Sequence, residues 1–110
     1  MILHPKTLCP KLIDFGLSLH YLPNLEKRKF RRCGTMGYMA YEVIQNTADK
    51  CKPYDFKCDM FSFGIICHMV LMGYNPLKGK NYEETYLKNT GWKFTIDKEK
   101  IIKLYGNDCY

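Results

Sequence analysis

Residues 56–72 read FKCDMFSFGIICHMVLM. Asp55 stands in front as a candidate N-cap and Gly73 follows as a stop, so the stretch predicts a helix. Apolar residues take nearly every face of it: Met60, Phe61, Phe63, Ile65, Ile66, Cys67, Met69, Val70, Leu71 and Met72. A helix apolar all round is either the centre of a large core or a membrane span. The uninterrupted apolar run is too short to span, and Asp59 and His68 lie within the segment. The expectation is a buried core helix, with His68 a hydrogen-bonded core residue. Such a helix needs more surrounding protein than 110 residues easily supply.

Working outward, residues 74–80 are a turn rich in Gly, Pro and Lys, and residues 82–89 predict a surface helix. Glu84 and Lys88 have the favourable i, i+4 spacing there. A loop over 91–97 leads to a last helix over 99–105, closed by Gly106. On the other side, residues 46–54 are polar and turn-rich, with Pro53 as a stop signal, and residues 38–44 predict a short helix. Gly34 and Gly37 bracket Thr35 and Met36 and suggest a tight backbone path. Residues 17–32 hold no sustained period and read as a long exposed loop, of the kind that is functional or mobile. Ile2, Leu3 and residues 11–13 form two short strands, joined across Pro5 and Pro10 into a hairpin that ends at Asp14. The fold class is mainly α with a short β-hairpin.

At 46% hydrophobic and 25% charged, the chain has the composition of one ordinary globular domain. The net charge of +6 is concentrated in the run EKRKFRR, with Lys27, Arg28, Lys29, Arg31 and Arg32. That run is a solvated face or an anion site. Only Phe30 is interleaved with it, so no nucleic-acid partner is expected. The six cysteines are irregularly spaced and no signal peptide precedes them, which points to thiols in a reducing, cytoplasmic compartment and no membrane anchor. A zinc site at Cys51, Cys58, Cys67 and His68 lacks the paired C-x-x-C arrangement. GYNPLKGK is no phosphate-binding loop, because five residues separate Gly73 from Gly79 and Asn81 follows Lys80.

Three stretches carry chemistry by occurring together and in order: KLIDFGLS with Asp14-Phe15-Gly16, CGTMGYMAYEV with Gly34, Thr35, Tyr38, Ala40 and Glu42, and KCDMFSFGIICHMVLMGYNPL with Asp59, Ser62, Gly64, Gly73 and Pro76. Alone, Asp14 reads as a turn or cap residue, Glu42 as a helix charge and Asp59 as a cap. Together the three stretches resemble the protein-kinase superfamily, from the metal-binding motif to the central helix of the large lobe. Gly34-Thr35-x-x-Tyr38 is similar to the peptide-positioning loop of serine/threonine kinases, and KLIDFGLS with GYNPLKGKNYEE to the calcium/calmodulin-dependent and calcium-dependent group.

The resemblance implies a partial kinase-like large lobe over residues 1–110. Residues 1–16 would be the strand pair and metal motif, 17–45 the activation segment, 55–73 the buried central helix, and 74–110 surface helices and an abbreviated end. Asp14 would bind the Mg2+ that bridges the phosphates of ATP, since a hard cation wants carboxylate oxygen. Phe15 would pack under a regulatory helix and Gly16 would let the segment pivot. Met1 would match a position on the floor of the adenine pocket. The basic run could answer a phosphate on the loop or an acidic substrate. Thr35 would sit beside the catalytic base, and Asp59, buried, would hold the catalytic loop's backbone, with Gly64 beside it in the helix. Tyr21, Tyr38 and Tyr41 are as suited to packing as to modification.

The family places its glycine-rich loop, ATP lysine, orienting glutamate and H-R-D catalytic loop before D-F-G, and only thirteen residues precede Asp14 here. The base is therefore expected to be absent from this chain, and phosphate transfer with it. Ala40-Tyr41-Glu42 stands where the family has Ala-Pro-Glu, and the arginine that pairs with the glutamate is not supplied. Three readings follow: part of an active serine/threonine kinase with a protein substrate, a non-catalytic module that binds a kinase or regulatory protein, or a degenerate remnant.

Overall fold

The computed structural model describes residues 1–20, 31–91 and 95–107. The elements run β1 (Ile2–Leu3), β2 (Pro10–Lys11), α1 (Tyr41–Ile44), α2 (Lys57–Met72), α3 (Tyr82–Gly91) and α4 (Lys98–Tyr105). The mainly helical class with one small hairpin is as expected. Residues 21–30, which hold Tyr21, Lys27, Arg28 and Lys29, lie outside the described residues, and with them most of the basic run.

β1 and β2 pair antiparallel, with Ile2 opposite Lys11 and Leu3 opposite Pro10. The second strand begins one residue earlier than expected and stops before Leu12. Its connecting turn is tied by the His4 amide to the Cys9 carbonyl (3.0 Å) and the Leu8 amide to the His4 carbonyl (2.9 Å). Leu8 takes the left-handed conformation that such a turn requires (φ 56°).

α2 is the longest element. Phe56, not Asp55, takes its N-cap position, and the Asp55 carboxylate, one residue earlier, accepts from the Lys57 amide at 3.0 Å. It ends at Gly73, whose φ of 80° places it in the left-handed region and whose amide donates to the Met69 carbonyl at 2.9 Å. The stop is where the sequence puts it; a side chain there would be strained.

Burial corrects the sequence reading. Only Ile65 and Met72 of α2 are buried, while Met60, Phe63 and Val70 are 61%, 57% and 75% exposed. One flank of the helix packs and the other stays open; among the described residues α1, α4, the loop before α1 and Tyr74 meet it. The total accessible surface is 9122 Å², against roughly 6,300 Å² for a folded monomer of this mass.

The core that does form is small. Met39, Ala40, Val43 and Ile44 are buried together, with Met36, Tyr54, Cys58 and Phe61 packed against them. Asn46 closes the loop behind α1 by bracketing Lys52, accepting from its amide at 2.9 Å and donating to its carbonyl at 2.8 Å. Leu77 is 1% exposed. α3 starts on a reciprocal cap: the Glu84 amide donates to Asn81 Oδ1, and Glu84 Oε2 accepts from the Lys80 amide, both at 2.8 Å. α4 is capped by Asp97, whose carboxylate accepts from the Lys100 amide at 3.0 Å. From α4, Lys100 Nζ and the Tyr105 hydroxyl each donate at 2.9 Å to the last carbonyls of α2, at Met72 and Leu71.

Candidate functional site

The residues singled out from sequence fall into two groups that the structure builds very differently. The first is the hairpin end. Asp14 has φ 64°, a left-handed conformation that Asp tolerates better than most residues. Its Oδ1 accepts from the Gly16 amide at 3.2 Å, an Asx turn that aims the carboxylate back over its own backbone. A side chain at Gly16 would bring Cβ to 3.2 Å from that same oxygen, so glycine keeps the carboxylate unobstructed. Ser18 closes the next turn, its amide and hydroxyl both donating to the Phe15 carbonyl. Met1 is 53% exposed and Phe15 67%.

The donor set here does not make a Mg2+–ATP site by itself. Mg2+ asks for near-octahedral oxygen coordination, of about six ligands. One carboxylate supplies two oxygens, and one of those already accepts a backbone hydrogen bond. Among the described residues no group of three or more His, Cys, Asp or Glu side chains could hold a metal ion.

The second group is tied down. Gly34 has φ 120° and a built Cβ would lie 3.0 Å from Met39 Cγ, so the turn there demands glycine. The Thr35 carbonyl accepts from the Tyr38 amide at 3.1 Å, and Thr35 itself is exposed. Gly37 is buried, and its amide donates to Asn89 Oδ1 at 2.7 Å. Asn89 Nδ2 donates in turn to the Met39 carbonyl at 2.9 Å. The Gly37 carbonyl accepts from Asn75 Nδ2 at 3.2 Å. Tyr38 is anchored to α2 twice, through Ser62 Oγ donating to its carbonyl (2.7 Å) and its hydroxyl against Met69 Sδ (3.3 Å).

Sequence reasoning missed Asn89, which it placed at the end of a surface helix. The structure buries it to 1% exposure, with both ends of its amide on the 37–39 backbone. No signal in the sequence marked it, because Asn at the end of a helix reads as an ordinary C-terminal stop. Glu42 sits exposed in the first turn of α1, as a helix charge. Among the described residues nothing lies within 4 Å of where a Cβ on Gly64 would sit, so they give it no packing reason to be glycine. Asp59 is exposed in the first turn of α2, not buried. It lies on the open flank of the helix, where its exposure shows that the described residues leave it uncovered.

Around this second group the electrostatics are those of partly buried neutral groups. Burial pushes the Cys58 thiol up to about 11, with the Asp59 and Glu42 carboxylates adding to the effect. Burial, and then the Cys33 thiol 3.6 Å away, hold the Tyr54 hydroxyl protonated well above its usual range. His68 is half-buried at 3.1 Å from the Tyr74 carbonyl, with its ring edge-on to Tyr74.

Residues 1–106 match the protein kinase domain family, and the chain belongs to it. Its relatives are serine/threonine kinases, calcium-dependent kinases among them. It is 41% identical over 100 residues to a probable serine/threonine-protein kinase of Plasmodium falciparum, covering 84% of this chain and 18% of that protein. It is 35% identical over 94 residues to a calcium-dependent protein kinase of the same organism (86% of this chain, 16% of that protein). An aurora kinase of Patiria pectinifera is 36% identical over 88 residues (80% and 20%). The chain thus spans about a fifth of the length of these relatives. The fold is a partial kinase fold, and no described helix is long and apolar enough to cross a membrane.

Proposed function

We propose that this chain carries the metal-binding motif, activation segment and peptide-positioning loop of a serine/threonine kinase, and that alone it transfers no phosphate. In the intact family, ATP bound with Mg2+ gives up its terminal phosphoryl group to a protein Ser or Thr. That chemistry is almost entirely positioning and charge stabilisation. Asp14 would hold the metal, Thr35 would lie beside the base, and Asp59 would fix the catalytic loop, each acting on groups outside this chain. The observation that carries the reading is the contrast between a lone, exposed Asp14 carboxylate and a 37–39 segment bracketed by Asn75 and Asn89.

The test is phosphate release and peptide phosphorylation with radiolabelled ATP. The expected result is background turnover, unchanged by Asp14→Asn. Turnover above background that Asp14→Asn abolishes overturns the proposal. The fixed peptide-side segment favours a second reading, a non-catalytic module that binds a kinase or a regulatory protein.

A further inference from the structure

An open groove runs beside the peptide-positioning segment. Thr35, Met36 and Tyr38 form one wall and residues 75–85 contribute the other. Two adjoining hollows of about 540 and 640 Å³ make it up, and both are lined by Tyr38, Asn75, Lys78 and Lys80. Each has the volume of a small-ligand cleft or of a few peptide side chains.

The charge in this groove is one-sided. Lys78 and Lys80 are exposed and face both hollows, and Lys88 lines the second. Arg32 reaches the rim from the opposite side, its guanidinium donating to the Tyr82 hydroxyl at 3.4 Å. Among the described lining residues Glu84 is the one carboxylate, and it is engaged within the wall. One oxygen accepts from the Lys80 amide at 2.8 Å and the other meets Lys88 Nζ at 3.1 Å. Those two contacts, the amide first, hold its carboxyl below the usual carboxylate range, so it stays ionised and paired. Glu83, on the same turn, does not line either hollow. What remains to meet a ligand is cationic.

The walls are also fixed before any ligand arrives. Asn75 ties them together, its Nδ2 donating to the Gly37 carbonyl at 3.2 Å while its Oδ1 accepts from the Leu77 amide at 2.8 Å. Asn89 holds the same segment from behind. A preset groove has less conformational freedom to lose on binding.

We infer that this groove takes an acidic peptide segment, with Asp or Glu side chains set against Lys78 and Lys80, next to the Ser or Thr acceptor. The inference rests on the reading of residues 34–38 as the peptide-positioning loop. The hollows suit side chains on an extended strand, and the lysine pair gives direction to the charge recognition. Exposed pairs are individually weak, so the discrimination comes from several acting together.

The experiment is fluorescence anisotropy of the full 110-residue chain with a labelled Ser-containing peptide bearing three Asp or Glu, and its Asn/Gln isostere. The acidic peptide should bind roughly tenfold tighter at low salt, the ratio falling to about twofold near 0.5 M salt. The double variant Lys78→Gln/Lys80→Gln should remove most of the ratio, and Lys78→Arg/Lys80→Arg should restore it. Circular dichroism checks that both variants keep their helix content. Equal affinity for the two peptides overturns the acidic preference and leaves the peptide groove standing. Binding of neither peptide overturns the inference and the peptide-loop reading together. An oligonucleotide of equal charge that binds as tightly as the acidic peptide, with the same loss on Lys→Gln substitution, also overturns it.

Discussion

In residues 1–20 only His4 is even half-buried, whereas between residues 37 and 89 Ala40, Val43, Ile44, Asn46, Ile65, Met72, Leu77 and Asn89 are all 4% exposed or less. Both regions carry residues that the family resemblance marks for function. The hairpin is held by its own backbone bonds and an Asx turn, all between near neighbours in sequence. The second region is held by bonds that join residues 24 to 52 apart, from Ser62 to Tyr38 up to Asn89 to Gly37. Local bonds set a shape without fixing where it sits. Long-range bonds to buried amides fix position as well. This chain therefore fixes the 37–39 segment in place and leaves the hairpin end around Asp14 open.

Three measurements would break or sharpen that contrast. The largest effect is expected at Leu77. Leu77→Ala should lower stability by about 2–4 kcal/mol in a urea titration, whereas Leu12→Ala, 75% exposed, should stay within about 0.5 kcal/mol. Similar losses at the two positions would mean the hairpin packs as firmly as the core. Asn89→Ala comes next, because it strands the Gly37 amide and the Met39 carbonyl. A loss of about 1–3 kcal/mol is expected, together with faster hydrogen exchange at Gly37. Unchanged exchange there would show that Asn89 does not hold the segment.

The smallest effect is in alkali. The Cys58 thiol is raised from 9.0 to about 11, so the folded chain holds its proton more tightly than the unfolded chain. Its contribution is fully present below pH 9 and disappears as pH rises through 11. Between those values the wild type should lose more stability than Cys58→Ala does. Parallel pH profiles would remove the thiol from the folded core.

Much of this was legible beforehand. The stop at Gly73, the Glu84–Lys88 pair and the hairpin's existence follow from local chemistry, and the structure shows each. Strand β2 was displaced because Leu12 and Ile13 are apolar, yet the turn register pairs Pro10 and Lys11 instead. The last helix starts earlier than read, because Asp97 acts as its cap and not as loop. The apolar run of α2 predicted a helix correctly and a burial wrongly. Composition reports what a helix would prefer to bury, and the rest of the chain decides how much it can.

The sequence by itself determined the helices, the glycine turns and the order of motifs that place the chain among protein kinases. All of these depend on backbone conformational preference and on residue type at fixed spacing. Only the tertiary structure decided that Asn89 and Asn75 clamp the 37–39 backbone, that Lys78 and Lys80 share a groove with Thr35 and Tyr38, and that Asp59 lies open. Those outcomes depend on which residues distant in sequence come into contact, and hydrogen-bond partners across 38 or 52 residues leave no local signature.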